Sequence, residues 1–188
     1  NILTNEAQCL SIIQMFWSST IQKLNEFVNL NLDTLANLQE IDTIDVKIAN
    51  TVELLSLYID NFKPPHDFMK TKNPNYAIST FVMTEVLPMI FAVIQKYGKS
   101  SKVSERCIKF IRKCIQNFRR FMIPSLKSIE GLLVEGFQNY KFGCYLWCSG
   151  ALIKEFSEDD DDIDEFIKID PSTMGDVWVF AQEQIKTF

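Results

Sequence analysis

The sequence predicts an all-α chain of antiparallel helix pairs, and three observations carry that prediction. Apolar residues recur at i, i+3, i+4 and i+7 through most of the chain, the spacing of one buried helix face. Glycine and proline number only six each among 188 residues, fewer than average usage supplies, so turns are scarce and helices are long. The periodic segments are joined by short breaks, which makes successive helices antiparallel neighbours. A chain of this length can bury a full core as one domain, residues 1–188. Its 47% apolar content is too high for a disordered chain.

Asn5–Phe27 reads as the first helix, with Cys9, Ile12, Ile13, Phe16, Trp17, Leu24 and Phe27 apolar and Thr4 or Asn5 as its cap. No glycine or proline occurs in residues 1–63. The Asn-rich Leu30–Leu38 region therefore stays open between a short helix and a loop. Ile44–Phe62 is a clearer helix, its face formed by Ile44, Ile48, Val52, Leu55 and Tyr58 or Ile59. Pro64-Pro65 ends it, because proline lacks an N–H and pushes the preceding residue out of the helical region. Lys63–Tyr76 is then a loop, with Asn73-Pro74-Asn75 as a turn.

Ala77–Tyr97 is the most apolar segment and predicts a buried helix in which Pro88 marks a kink or a start. Gly98 is expected as its C′ residue and Ser101 as the cap of the helix that follows. Pro124 opens the next helix, with Leu126, Ile129, Leu132, Leu133, Gly136 and Phe137 inward as far as about Tyr140. Gly143 breaks it, and Cys144–Phe156 forms another helix, almost wholly apolar. After an acidic run, Asp170-Pro171-Ser172-Thr173 leads into a last helix at Met174–Thr187. Phe81, Phe91, Trp147, Phe156 and Trp178 are expected in the core. The clearest repeat is 102–140: the pair 102–118 and 124–140 spans about forty residues, the period of HEAT or armadillo repeats. Periodicity alone leaves a helical solenoid segment or a plain bundle.

The stretch with the sharpest chemistry is SERCIKFIRKCIQNFRRF, Ser104–Phe121. On a helix, Val103, Cys107, Phe110, Ile111, Cys114 and Phe118 fall on one side, with Ile108 and Ile115 at its border. Arg106, Lys109, Arg112, Lys113, Arg119 and Arg120 fall on the other. From Lys96 to Lys127 there are ten Lys and Arg against one acid, Glu105, while residues 1–95 carry a net −5 and residues 128–188 a net −9. A basic band in an acidic chain points to a specific anionic partner at that band. Acids three or four residues away are nearly absent from the band, where a merely solvated helix would intersperse them.

Several function classes are excluded or disfavoured. The five cysteines, Cys9, Cys107, Cys114, Cys144 and Cys148, are odd in number and helically spaced, which suits a reduced intracellular protein that uses them as small core residues. A metal site is not expected, since a structural zinc wants four ligands in paired short spacings and the one histidine is His66. No cofactor is called for and no catalysis: Gly98-Lys99-Ser100 resembles the end of a phosphate-binding loop, but Val93 stands where its first glycine would be. No apolar run reaches membrane-span length and no secretory signal opens the chain, so no membrane partner is expected. The absence of an initial Met and the end at Phe188 suggest a piece of a longer protein. Direct RNA binding is the weaker reading of the basic helix, because Phe110 and Phe118 fall on the core face, where they cannot stack on bases.

A family resemblance adds to this. Glu105-Arg106-Cys107 followed by Lys109 and Arg112, and then CYLWCSGALIKEF at Cys144–Phe156, resemble segments of the importin-β nuclear transport receptors, in their transportin-SR and mRNA-transport-regulator branch. Ile12–Phe16 and the turn at Asn73-Pro74 fit in order, and the strong part of the likeness is Thr84–Phe156. The resemblance implies antiparallel helix pairs stacked as a HEAT-repeat solenoid segment from the C-terminal half of a karyopherin. It implies a nuclear import receptor for Arg/Ser- or Arg/Gly-rich RNA-binding protein cargo, with Ran-GTP and Phe-Gly nucleoporins as partners of the full-length receptor and shuttling between cytoplasm and nucleus.

In that branch a row of arginines on one inner-surface helix receives a phosphorylated Arg-Ser segment. The arginine that follows the acid carries over to Arg106, and the inner row falls at Lys109, Arg112 and Gln116. Lys109 keeps charge without the bidentate fork that suits phosphate, and Gln116 has lost it, so an unphosphorylated cargo fits these departures better. The expected cargo contacts are Arg106, Lys109, Arg112 and Lys113, with the acidic run Glu158, Asp159, Asp160, Asp161 and Asp162 as a counter-site for cargo arginines or as an internal cover for the basic helix. The alternative function is a helical scaffold for protein assembly.

Overall fold

The computed structural model describes residues 6–32, 38–64 and 76–157, and every regular element among them is helical. Helix α1 spans Glu6–Asn29 and α2 spans Leu38–Ile59, with a 3-10 turn at Asp60–Phe62. Helix α3 runs over Ala77–Tyr97, α4 over Ser101–Phe118, α5 over Leu126–Tyr140 and α6 over Gly143–Ser157. A 3-10 stretch, Arg119–Ser125, joins α4 to α5. The expected last helix, Trp178 and His66 lie outside the described residues.

The helices form three pairs, α1–α2, α3–α4 and α5–α6. The second helices, α2, α4 and α6, lie side by side in one layer with α4 in the middle, and each first helix backs its own partner. Helices one pair apart run parallel. Phe27 near the end of α1 meets Tyr97 at the end of α3, and Asp60 just after α2 meets Lys113 in the last turns of α4. That parallel register between successive pairs is the arrangement of a solenoid, in which each repeat packs on its neighbours. It decides between the two architectures that periodicity leaves open.

The core follows the helical stripes. Ile13, Trp17, Leu24 and Phe27 of α1 are buried, as are Ile48, Val52, Leu55 and Ile59 of α2. The Trp17 ring sits about equally far from Phe62, Phe81 and Phe110, at 6.2–6.4 Å between centroids, and so joins the first two pairs. In α4 the border residues Ile108 and Ile115 are fully buried along with Cys107, Phe110, Ile111, Cys114 and Phe118, because α4 has neighbours on three sides. Phe81, Phe91 and Phe156 are half-buried and pack against the core. Phe16 is the exception in α1: it is exposed and stacks on Tyr58.

Several local expectations are corrected. Helix α2 starts at Leu38, earlier than Ile44. Pro88 marks a restart within α3: a wider π turn at Val82–Val86 precedes Leu87–Tyr97, whose first turn holds the ring that has no N–H to donate. Gly98 does not take a left-handed conformation, having φ −61°. It is required instead because a Cβ would lie 2.5 Å from the Ile94 carbonyl oxygen and 2.7 Å from the Tyr140 ring. The N-cap of α4 is Ser100, not Ser101, and its side chain makes no capping bond. Pro124 lies inside the 3-10 stretch before α5, and Gly143 opens α6 while Lys141, at φ 58°, ends α5 in the left-handed region. Ala77–Tyr97 is, by length and composition, long and apolar enough to cross a membrane. In the fold one apolar face packs against α1 and α4, and 44% of the span is buried.

Helix ends are tied across pairs. The last carbonyls of α1 have no intrahelical donors, and α3 supplies two of them: Lys96 Nζ donates to the carbonyl of Val28 at 2.6 Å, and also to that of Leu30 just past the helix, and Tyr97 Oη donates to that of Phe27 at 2.7 Å. The same device recurs one layer away, where α4 closes the end of α2.

Candidate functional site: the middle helix and its two flanks

Helix α4 meets α2 along a charged flank. Lys109 Nζ donates to Glu53 Oε1 at 2.8 Å, and Arg106 Nη1 lies 3.4 Å from Glu53 Oε2, an ion pair without hydrogen-bond geometry. Lys113 Nζ donates both to the Ser56 carbonyl at 2.8 Å and to Asp60 Oδ2 at 2.7 Å, while Asn117 Nδ2 donates to Asp60 Oδ1 at 2.9 Å. Lys113 thus caps α2, whose own last turn carries no basic residue. The Lys109 hydrogen bond holds the Glu53 carboxyl below its usual range, and hydrogen bonds from Lys113 and Asn117 do the same for Asp60.

The α6 flank is different. Ser104 Oγ and Tyr145 Oη are 3.1 Å apart in the buried interface, and burial pushes the Tyr145 phenol up to about 12. Gly136 on α5 makes this packing fit, since a Cβ there would stand 2.2 Å from the Tyr145 ring. The small thiols of Cys107, Cys114 and Cys148 are buried in the core. Burial raises all of them, Cys148 to about 12 and the partly exposed Cys144 to about 11. At neutral pH they are protonated and unreactive, and no cluster of metal-ligating side chains occurs among the described residues. Beyond the core edge, the Arg112 guanidinium lies 3.4 Å over the ring of Trp147, and Arg119 Nε meets Glu155 Oε2 at 3.2 Å.

The four basic residues expected to contact cargo therefore lie on one helix but face different ways. Arg106, Lys109 and Lys113 turn toward α2, with side-chain exposures of 47%, 32% and 18%, and Arg112 turns toward α6. Arg119 adopts φ 45° at the end of α4, an uncommon backbone conformation for a residue with a side chain. The acidic candidates Glu158, Asp159, Asp160, Asp161 and Asp162 lie outside the described residues.

Comparison with known proteins places this arrangement. A family profile described as the Transportin-3/Importin-13 fourth TPR domain matches residues 79–178, which takes in α4, both of its neighbours toward the C-terminus and most of α3. The chain belongs to the transportin-3/importin-13 family. The mRNA transport regulator MTR10 of Saccharomyces cerevisiae is 31% identical over 143 residues, 76% of this chain and 14% of that protein. The uncharacterized protein C11G11.07 of Schizosaccharomyces pombe is 22% identical over 139 residues, 73% of this chain and 13% of that protein. The chain thus spans about one seventh of the length of these curated relatives. No solved structure matches it significantly.

Within this transportin segment, sequence reasoning missed the acids that meet the basic row, Glu53 and Asp60, because it looked for them along the same helix. They stand seven residues apart, Glu53 on α2 and Asp60 in the 3-10 turn that follows it, matching the step from Arg106 to Lys113 on α4. Trp147 is a correction: it is 56% exposed, not core. Tyr145, Cys148 and Leu152 form the inward stripe of α6, and Trp147 is out of phase with it.

Proposed function

We propose that this chain is part of the cargo-binding inner surface of a nuclear import receptor, acting through binding and without catalysis or a cofactor. The row Arg106, Lys109, Arg112 and Lys113, together with the carboxylates of Glu53 and Asp60, takes Arg/Ser- or Arg/Gly-rich RNA-binding protein cargo. The acidic run Glu158 to Asp162 serves the cargo arginines as a second counter-site. The full-length receptor would work with Ran-GTP and Phe-Gly nucleoporins and shuttle between cytoplasm and nucleus. Family membership and the likeness to the S. cerevisiae mRNA transport regulator MTR10 support this direction.

The observation that carries the reading is the alternation of charge along the α2–α4 seam, with Glu53 between Arg106 and Lys109 and Asp60 beside Lys113. A cargo whose own charges alternate can exchange partners with such a strip: its arginines go to Glu53 and Asp60, and its acidic or phosphate groups go to the freed cations. Each exposed exchange is worth about 0–1 kcal/mol, so recognition needs several at once and weakens steeply with salt. A second reading, a helical scaffold for protein assembly, is favoured by Lys113, whose bonds to Ser56 and Asp60 serve the fold itself.

The test is titration with Arg-Ser repeat peptides, with and without phosphate, and with an Arg-Gly-Gly repeat peptide, at two salt concentrations. A charge-reversed Arg106/Lys109/Arg112 variant runs alongside. Salt-sensitive binding that the variant alters supports the reading. A folded chain that binds none of the peptides leaves the scaffold.

A further inference from the structure

Between α4 and α6 lies an open cleft of about 390 Å³ lined by Glu105, Arg106, Lys109, Gly143, Cys144 and Trp147. That volume is at the small end of ligand sites and suits a side chain with its immediate neighbours. We propose that this cleft anchors an aromatic side chain flanked by acidic residues, in a peptide segment of a bound partner. The inference deepens the cargo-surface reading, on which it rests through Arg106 and Lys109.

Three features select that chemistry. Trp147 is a large apolar ring, 56% exposed, set in a charged surface, and a partner ring packed on it would remove apolar area from water. Its other face is covered by the Arg112 guanidinium at 3.4 Å, which fixes the indole in place. Arg112 Nε is buried there without a hydrogen-bond partner among the described residues, so the contact rests on stacking. A cation already stacked on the ring also disfavours a second one on the free face.

The charge nearby points the same way. Arg106, Lys109 and the stacked Arg112 face two carboxylates, Glu53 and Glu105, which leaves one positive charge in excess. The first turn of α6, Gly143 and Cys144, borders the cleft with the positive end of a helix dipole. Glu105, on the rim, opposes an anion and sets a limit on affinity. An acidic flank with an aromatic anchor satisfies the ring and the excess charge together, whereas an arginine-bearing segment has Glu105 alone to meet it and adds to the excess.

Gly143 offers a direct test. A Cβ there would meet nothing within 4 Å and its backbone is not left-handed, so Gly143→Leu fills the cleft without straining the fold. Affinities of the full chain are measured for three peptides: Phe flanked by Asp and Glu, the same peptide with Ser for Phe, and Phe flanked by Gly and Ser. Circular dichroism and the unfolding midpoint check each variant.

The Phe-acidic peptide is expected to bind at least about tenfold more tightly than the Ser version and than the uncharged one. Gly143→Leu and Trp147→Ala bring the Phe-to-Ser ratio to about one, and Glu105→Gln tightens the acidic peptides about twofold. Lys113→Glu, outside the cleft, lowers both acidic peptides alike and preserves the ratio. The inference is overturned by a ratio near one in the parent chain, by a ratio that survives both cleft variants, or by equally tight binding of the uncharged Phe peptide. It is also overturned if Gly143→Leu selectively weakens an Arg-Gly-Gly peptide, because the cleft then takes a cation. If the cargo-surface reading is what fails, reversing Arg106, Lys109 and Arg112 leaves the Arg-Ser peptides unaffected. If only the cleft fails, those peptides still respond.

Discussion

Helix α4 is gripped on its two flanks by opposite chemistry. Toward α2 it presents Arg106, Lys109, Lys113 and Asn117, met by two carboxylates and the last carbonyls of a helix. Toward α6 it presents Ser104, Cys107 and Cys114, with Tyr145, Cys148 and the Trp147–Arg112 stack facing them. The first flank is adjustable, since ion pairs near the surface exchange partners at little net cost. The second is fixed by packing, where a displaced ring opens a void or a clash. Both seams hold neighbouring repeats in register, one through packing and one through charge.

Variants should separate the two flanks, and the largest effect is expected on the packed side. Gly136→Ala drives a Cβ into the Tyr145 ring and should cost about 1–3 kcal/mol in a thermal melt, with no dependence on salt. A neutral result would mean that the ring has somewhere else to go and that this flank is not tightly packed. On the charged side, Lys113→Met removes the cap on α2 and should cost about 1–2 kcal/mol. That is more than Lys109→Met, whose only hydrogen bond among the described residues is to Glu53. Denaturant midpoints for the two variants would show the order, and an equal loss would argue against the cap.

Acid should then weaken the charged flank alone. Glu53 and Asp60 titrate lower in the fold than in the unfolded chain, so their contribution is present above the ordinary carboxylate range. It is lost as pH falls from about 5 through their folded values. Asp45 works against this, because burial raises it. The expected signature is a loss of about 1 kcal/mol or less on acidification, reduced in Asp60→Asn. A steeper acid loss in that variant would reverse the sign of the account. The smallest effect is Trp147→Ala, about 0.5–1 kcal/mol from the exposed cation–π contact, read from the same melts.

The fold was legible in the stripes of α1, α2 and α4, where Ile13, Trp17, Ile48, Val52, Cys107 and Ile111 recur at helical spacing and are buried. The boundaries were less legible, because Gly98 and Gly143 read as turn residues while one is demanded by Tyr140 and the other opens a helix. The basic face of α4 could be drawn from the sequence, but its partners could not. Glu53 and Asp60 are more than fifty residues away in the chain from the lysines they meet, and only the parallel stacking of α2 on α4 brings them together. Trp147 was misplaced for a related reason: an aromatic in an apolar run reads as core until the phase of the neighbouring Tyr145 and Cys148 is fixed by contact with α4.

Arg106, Lys109 and Lys113 are already paired with Glu53 and Asp60, and we propose that a partner binds there by exchange. The most direct measurement is the affinity of a phosphorylated Arg-Ser repeat peptide for the full chain and for Glu53→Gln, at two salt concentrations. Exchange predicts that the variant, with Arg106 and Lys109 released, binds about two- to fivefold more tightly and loses affinity more steeply with salt. Unchanged or weaker binding in Glu53→Gln would contradict it and leave the seam a purely structural contact.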